Sequence, residues 1–159
     1  MADASVEQQV AGWFAERLAQ IRTSVGYAMT LDSSRIFIDG DPENEEAPTV
    51  PFAEYDDNQG SWSDAANTSG KSAIHQYQPT VKITVQAGAA DYKAVARGVF
   101  DDVVRACAHD GWCVGVPLGV NSILPDSWAR QRRDGNYLDV AITFTVRLAV
   151  DTRSRPLIS

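Results

Sequence analysis

The sequence has little with which to do chemistry. Its 159 residues include two cysteines and two histidines, and none of the four stands at a spacing that holds a metal ion. Cys107 and Cys113 are six apart, across an expected helix end and the strand after it, and burial as reduced thiols suits the habit of free cysteine. His75 falls in an expected strand and His109 near a helix end, each without a second ligand beside it. No serine occupies a Gly-x-Ser-x-Gly elbow and no cysteine has an evident histidine partner, so nucleophilic catalysis finds no support. The glycine-bearing run 111–119 follows an expected helix and leads to no good one, the reverse of a phosphate-cradling loop. Asp56 and Asp57, like Asp101 and Asp102, are adjacent and therefore diverge on a strand or helix. The expectation is a protein that is not an enzyme, with no cofactor and no metal.

Long apolar runs are missing too. Nothing approaches the roughly twenty apolar residues of a membrane-spanning helix, and the first residues carry neither a basic nor an apolar signal segment. A protein made in a cytoplasm, and kept or assembled there with no membrane partner, is expected. Net charge is -7, which argues against a wrapped nucleic acid, whose phosphates need a basic footprint, though not against DNA passing close by.

Positive charge is absent between Arg35 and Lys71, where nine carboxylates fall: Asp39, Asp41, Glu43, Glu45, Glu46, Glu54, Asp56, Asp57 and Asp64. Arg130, Arg132, Arg133, Arg147, Arg153 and Arg155 gather near the other end. Runs of this kind commonly keep a surface wet; the alternative is that acidic and basic ends meet between copies.

What the chain does have is alternation. From Leu138 to Val150 every second residue is apolar, the period of a half-buried strand. At about 3.3 Å per residue it would span roughly 40 Å, twice the usual strand, so part of it is expected to reach beyond its own sheet. Its other row, Asp139, Ala141, Thr143, Thr145, Arg147 and Ala149, is small and mostly uncharged, a face suited to being covered by a neighbouring subunit or to lining a passage.

Upstream, Ser5 and Gln8 can form a capping box that opens a helix at Val6. Its stripe is Val6, Val10, Trp13, Phe14, Leu18 and Ile21. Arg17 lies inside that arc, either laying its methylenes on apolar surface or pairing with an acid of a neighbouring subunit. A short strand follows over residues 35–39. Residues 48–55, with two prolines, read as an edge or interrupted strand. Residues 56–72 form an extended tip carrying Trp62, which either folds back or anchors a partner. A strand is clear at Val81, Ile83, Val85 and Ala87, and a helix follows from Asp91 to about His109, with Val95, Val99 and Val103 on its buried side. Residues 112–116 are a short apolar run, then Pro117, Gly119 and Pro125 predict irregular chain to Trp128 and an arginine-rich turn over residues 130–136.

The economical arrangement is α+β: an antiparallel or mixed β-sheet with two helices packed on one face and a long β-hairpin with an extended tip. Residues 1–151 would make a single domain and residues 152–159 a flexible tail.

The order of elements and its local residues resemble the tail terminator (tail completion) proteins of lambda-like, long-tailed bacteriophages. The matching pieces are the N-terminal helix; Phe37-Ile-Asp-Gly-Asp-Pro42 with its acidic continuation and Pro48-Thr-Val50; Val81-Lys-Ile-Thr-Val85; the helix from Asp91; and the arginine-rich stretch before Asp139-Val-Ala-Ile-Thr-Phe-Thr-Val146. The match covers nearly the whole chain as a pattern, without a diagnostic motif. The resemblance implies a structural virion protein at the head-proximal end of the tail, assembled in the host cytoplasm. It implies a homohexameric ring that stops tube polymerisation, with the tail tube protein and a head-completion or neck protein as partners, and DNA passing through the lumen without specific binding. Arg17, Trp62, Arg130, Arg132, Arg133 and Arg147 are then candidates for subunit interfaces, and Asp41, Glu43, Glu45 and Glu46 for a lumen- or partner-facing acidic surface. The competing readings are another head–tail connector, such as a head-closure component, and a small enzyme or ligand-binding domain.

Overall fold

A computed structural model describes residues 6–39, 49–57, 60–63, 72–108 and 120–151. The apolar stripe expected near the N-terminus forms α1 (Val6–Leu18), which buries Val10, Ala11, Trp13, Phe14 and Leu18, with Ile21 following on the same side. Ser5, half of the expected capping box, lies outside the described residues. Two short helical turns lead to β1 (Ile36–Phe37) and β2 (Phe52–Asp56). Then come β3 (Gly60–Ser63), β4 (Ser72–Tyr77), β5 (Thr80–Gln86), α2 (Tyr92–Cys107), β6 (Val120–Arg133) and β7 (Tyr137–Asp151).

Among the described residues, seven strands form one mixed sheet around β7. β1 pairs parallel with β2, and every other pairing is antiparallel. Along one edge of β7, β4 and β5 follow each other in the same register, with Tyr77 opposite Val146 and Thr80 opposite Thr143. The Phe144 amide donates to Pro79 O at 2.9 Å, which carries the ladder through the break between them. β2 pairs with β5 and β3 with β4, so β2–β3 and β4–β5 are the two arms of the expected long hairpin. Pro51 stays out of the ladder, since β2 starts just after it, and Pro48 lies outside the described residues; β2 is not the expected edge strand, because β1 and β5 flank it. The expected 56–72 tip is in part ladder: Gly60–Ser63, with Trp62, is β3 paired to β4, and residues 58–59 and 64–71 lie outside the described residues, as do residues 109–119 and the tail 152–159.

Two expectations need correction. Residues 117–128 were expected to be irregular, with the arginines in a turn; from Val120 the chain is instead a fourteen-residue strand, and Arg130, Arg132 and Arg133 stand on it. Pro125 is tolerated because β6 is an edge strand with a register shift between Pro125 and Ser127, where a missing N–H costs no ladder bond. The turn itself is only residues 134–136, where Gly135 at φ 84° and Asn136 at φ 62° take the left-handed conformation that a tight hairpin demands. β7 is as long as expected but does not overhang: β6 covers one edge and β4–β5 the other.

The core lies between the sheet and the two helices. Leu138, Val140, Ile142, Phe144 and Val146 of β7 form its floor, with Val81, Ile83 and Val85 beside them. Phe14 meets Phe144 and Tyr55 with ring centroids 5.3 and 5.1 Å apart. Full burial of side chains of this size stabilises the fold by roughly 1.5–3 kcal/mol each. Cys107 is completely buried, which pushes its thiol up to about 12, against a smaller opposing pull from Arg17.

The α1–β1 connection is tied to α2 by a buried carboxylate. Asp102 accepts hydrogen bonds from the amides of Ala28 at 2.9 Å and Met29 at 3.1 Å. One turn on, Arg105 lies 4.4 Å over the Tyr27 ring and donates to Gly26 O. Gly26, at φ 96°, supplies the left-handed residue that lets the chain turn there.

Candidate interface surfaces

Sheet alternation decides which arginine faces where. After the register shift, Trp128, Arg130 and Arg132 stand opposite Ile142, Val140 and Leu138, the buried row of β7, and so share the helix side of the sheet. Gln131 and Arg133 stand opposite Asp139 and Tyr137 and project the other way.

On the helix side, α2 stops short of covering β6. The margin left between them is a groove of about 340 Å³ lined by Ala96, Arg97, Phe100, Asp101, Trp128, Arg130 and Val140. Phe100 and Trp128 pack edge to face, centroids 6.3 Å apart, yet Trp128 remains 55% exposed. The Arg130 guanidinium lies 5.2 Å above the Trp128 ring, and that of Arg132 lies 5.0 Å from the Tyr92 ring. Such stacking fixes the direction of each cation while leaving its N–H groups free to bind an acid. The ion pairs among the described residues, Arg35–Asp32, Lys82–Glu54 and Arg133–Asp139, do not involve Arg97, Arg130 or Arg132. Leu124, 45% exposed, lies on the same strand but opposite Thr145, on the other face of the sheet. An aromatic anchor with arginines at its rim is the composition of a protein-binding surface.

The opposite face of the sheet is small, polar and internally bonded. Arg133 Nε donates to Asp139 at 2.6 Å and Nη2 at 3.1 Å, while Thr84 Oγ1 donates to the same carboxylate at 2.7 Å. That bonding raises the Arg133 guanidinium above its ordinary value, and burial opposes it. Thr80 and Thr143 share a hydrogen bond at 3.0 Å, and Lys82 meets Glu54 at 3.5 Å. Ala141, Thr143 and Thr145 are each half-buried.

The sequence-derived candidates therefore separate. Arg17 is engaged inside the chain: its Nε donates to Ala106 O at 2.6 Å near the end of α2, and its guanidinium sits 6.0 Å from the Trp13 ring. Arg130 and Arg132 face the groove, Arg133 is held by Asp139, and Arg147 is exposed on the polar face. Trp62 lies in β3 opposite His75. Asp41, Glu43, Glu45 and Glu46 lie outside the described residues. Arg97, Phe100 and Trp128 do not stand out as a group in the sequence. Their signal was the every-second-residue series Trp128, Arg130 and Arg132 running into an Asp-Gly turn, hidden because Pro125 read as a break.

A sheet of this order, with two helices on one face, has a counterpart among solved structures. The fold is shared with a chain in the virion of a native gene transfer agent particle. The two are 16% identical and superpose with a TM-score of 0.56 over 92% of this chain and 99% of that one. At that identity the similarity is one of fold, not of matched residues. No protein-family profile matches the sequence, and no curated protein does.

Proposed function

We propose that this protein is a structural component of a phage-like virion, and within it a tail terminator. In this reading, copies form a ring on the head-proximal end of the tail tube, stop its polymerisation, and present a surface to the head-completion protein. The observation that carries the reading is the fold shared along almost the full length of both chains with a virion component. Two unlike surfaces support it. The aromatic and basic groove lies at the β6 edge; β1 lies at the other edge of the sheet, and the sequence between β1 and β2 is rich in carboxylates. Contacts between unlike edges are head-to-tail, and they close into a ring when the rotation allows. The net charge of -7 suits a passage for DNA that must not adhere.

The test is an assembly reaction. Purified protein added to its cognate tube protein during polymerisation should arrest growth and shorten the tubes. Tubes that reach full length while the protein binds only to DNA-filled heads would assign it to head closure instead.

A further inference from the structure

The groove beside Trp128 carries positive charge that the described ion pairs do not neutralise. Arg97 and Arg130 line it, with Asp101 as the carboxylate among its lining residues, and Arg132 stands one pleat further along. A fitting occupant is therefore anionic and long enough to lie beside an edge strand.

The chain itself contains such a segment. Residues 39–48 read Asp-Gly-Asp-Pro-Glu-Asn-Glu-Glu-Ala-Pro, five carboxylates without a cation. The segment leaves the sheet just after β1, the strand farthest from β6 in the order β1-β2-β5-β7-β6. Four strand spacings put the two edges about 19 Å apart. A loop of this length, tethered at both ends, reaches about 15 Å from its base, and the helices stand on the intervening face. A reach of about 15 Å falls short of the chain's own groove, which leaves the groove of a second copy as the one such a segment can fill.

We infer that the Arg97–Arg130–Arg132 groove beside Trp128 binds the acidic 39–48 segment of a second copy. This rests on the ring reading above and specifies its contact: acidic edge to basic groove, repeated around the ring. It assigns Asp41, Glu43, Glu45 and Glu46 to the neighbouring subunit and not to the lumen. The contact weakens with salt, because its charges sit at a solvent-accessible rim.

The test uses a synthetic peptide of residues 39–49 titrated into the full-length, isotopically labelled protein. The Trp128 indole signal is assigned by its loss in Trp128→Phe. The expected result is a saturable shift of that signal, with binding at least tenfold weaker to the Arg130→Glu/Arg132→Glu double variant. A peptide in which Glu43, Glu45 and Glu46 are lysines should fail on the native protein and bind the double variant, a rescue that a misfolded variant would not give. No shift at Trp128, or binding undiminished by the double variant, overturns the inference. The double variant is also mixed with tail tubes. If the native protein caps tubes and the variant caps them equally well, the groove contact is overturned while the terminator reading stands. Charge-dependent peptide binding by a native protein that never caps tubes supports the groove contact and overturns the terminator reading.

Discussion

Arg133 closes on Asp139 across the β6–β7 hairpin, with N–O distances of 2.6 and 3.1 Å, while Arg132 beside it points to the opposite face and meets Tyr92. Two adjacent arginines thus have different tasks because strand side chains alternate. Arg133→Ala should lower stability by about 1 kcal/mol, since the guanidinium is half exposed and the pair is bidentate. A double-mutant cycle with Asp139→Asn should recover most of that value as coupling. Binding of the 39–49 peptide should be unchanged by Arg133→Ala, and a loss equal to that of the Arg130/Arg132 variant would contradict the assignment.

Asp102 is the polar residue on which the connection before β1 depends. Asp102→Ala leaves the amides of Ala28 and Met29 without their acceptor, and denaturant unfolding should show a loss of about 3 kcal/mol. A loss below about 1 kcal/mol would mean that water replaces the carboxylate at little cost.

The floor of the core is equally specific. Phe144→Ala should cost about 3–5 kcal/mol, because it empties a site packed by Phe14. Thr143→Ala, one residue away on the polar face, should cost less than about 1 kcal/mol by the same measurement.

Asp57 gives a pH-dependent prediction. Burial, then the nearby charges of Asp56, Glu7 and Asp39, raise its carboxyl above the ordinary value, against a backbone hydrogen bond that lowers it. A raised folded value means that the ionised form is penalised in the native state. The penalty is absent below the unfolded value of about 4 and complete once pH has risen through the folded value. Asp57→Asn should therefore stabilise the protein at pH 7 by a few tenths of a kcal/mol. The gain should vanish in thermal melts at pH 3; a gain equal at both pH values would contradict the account.

Much of this molecule is legible in its residue pattern, and the failures share a cause. Both helices, the β7 row and the long hairpin follow from periodicity, because each has one face in a single core. Asp102 was invisible because a carboxylate next to Asp101 on a helix looks like solvent-facing charge; its role depends on a loop more than seventy residues earlier. β6 is hidden in the sequence because Pro125, with Pro117 and Gly119 before it, signals a break, and only an edge strand with bulges tolerates Pro125. The groove depends on that strand, so in the sequence its arginines stand singly, with nothing to mark them as a site. Arg17 shows the converse: the sequence placed it on the apolar arc, and the end of α2 supplies its partner.

The most direct measurement is negative-stain imaging of purified protein incubated with isolated tail tubes. The account predicts a ring-shaped cap at one end of each tube, with tubes that no longer elongate when more tube protein is added. Bare ends that continue to grow, with the protein remaining in the background or attached only to heads, would contradict it.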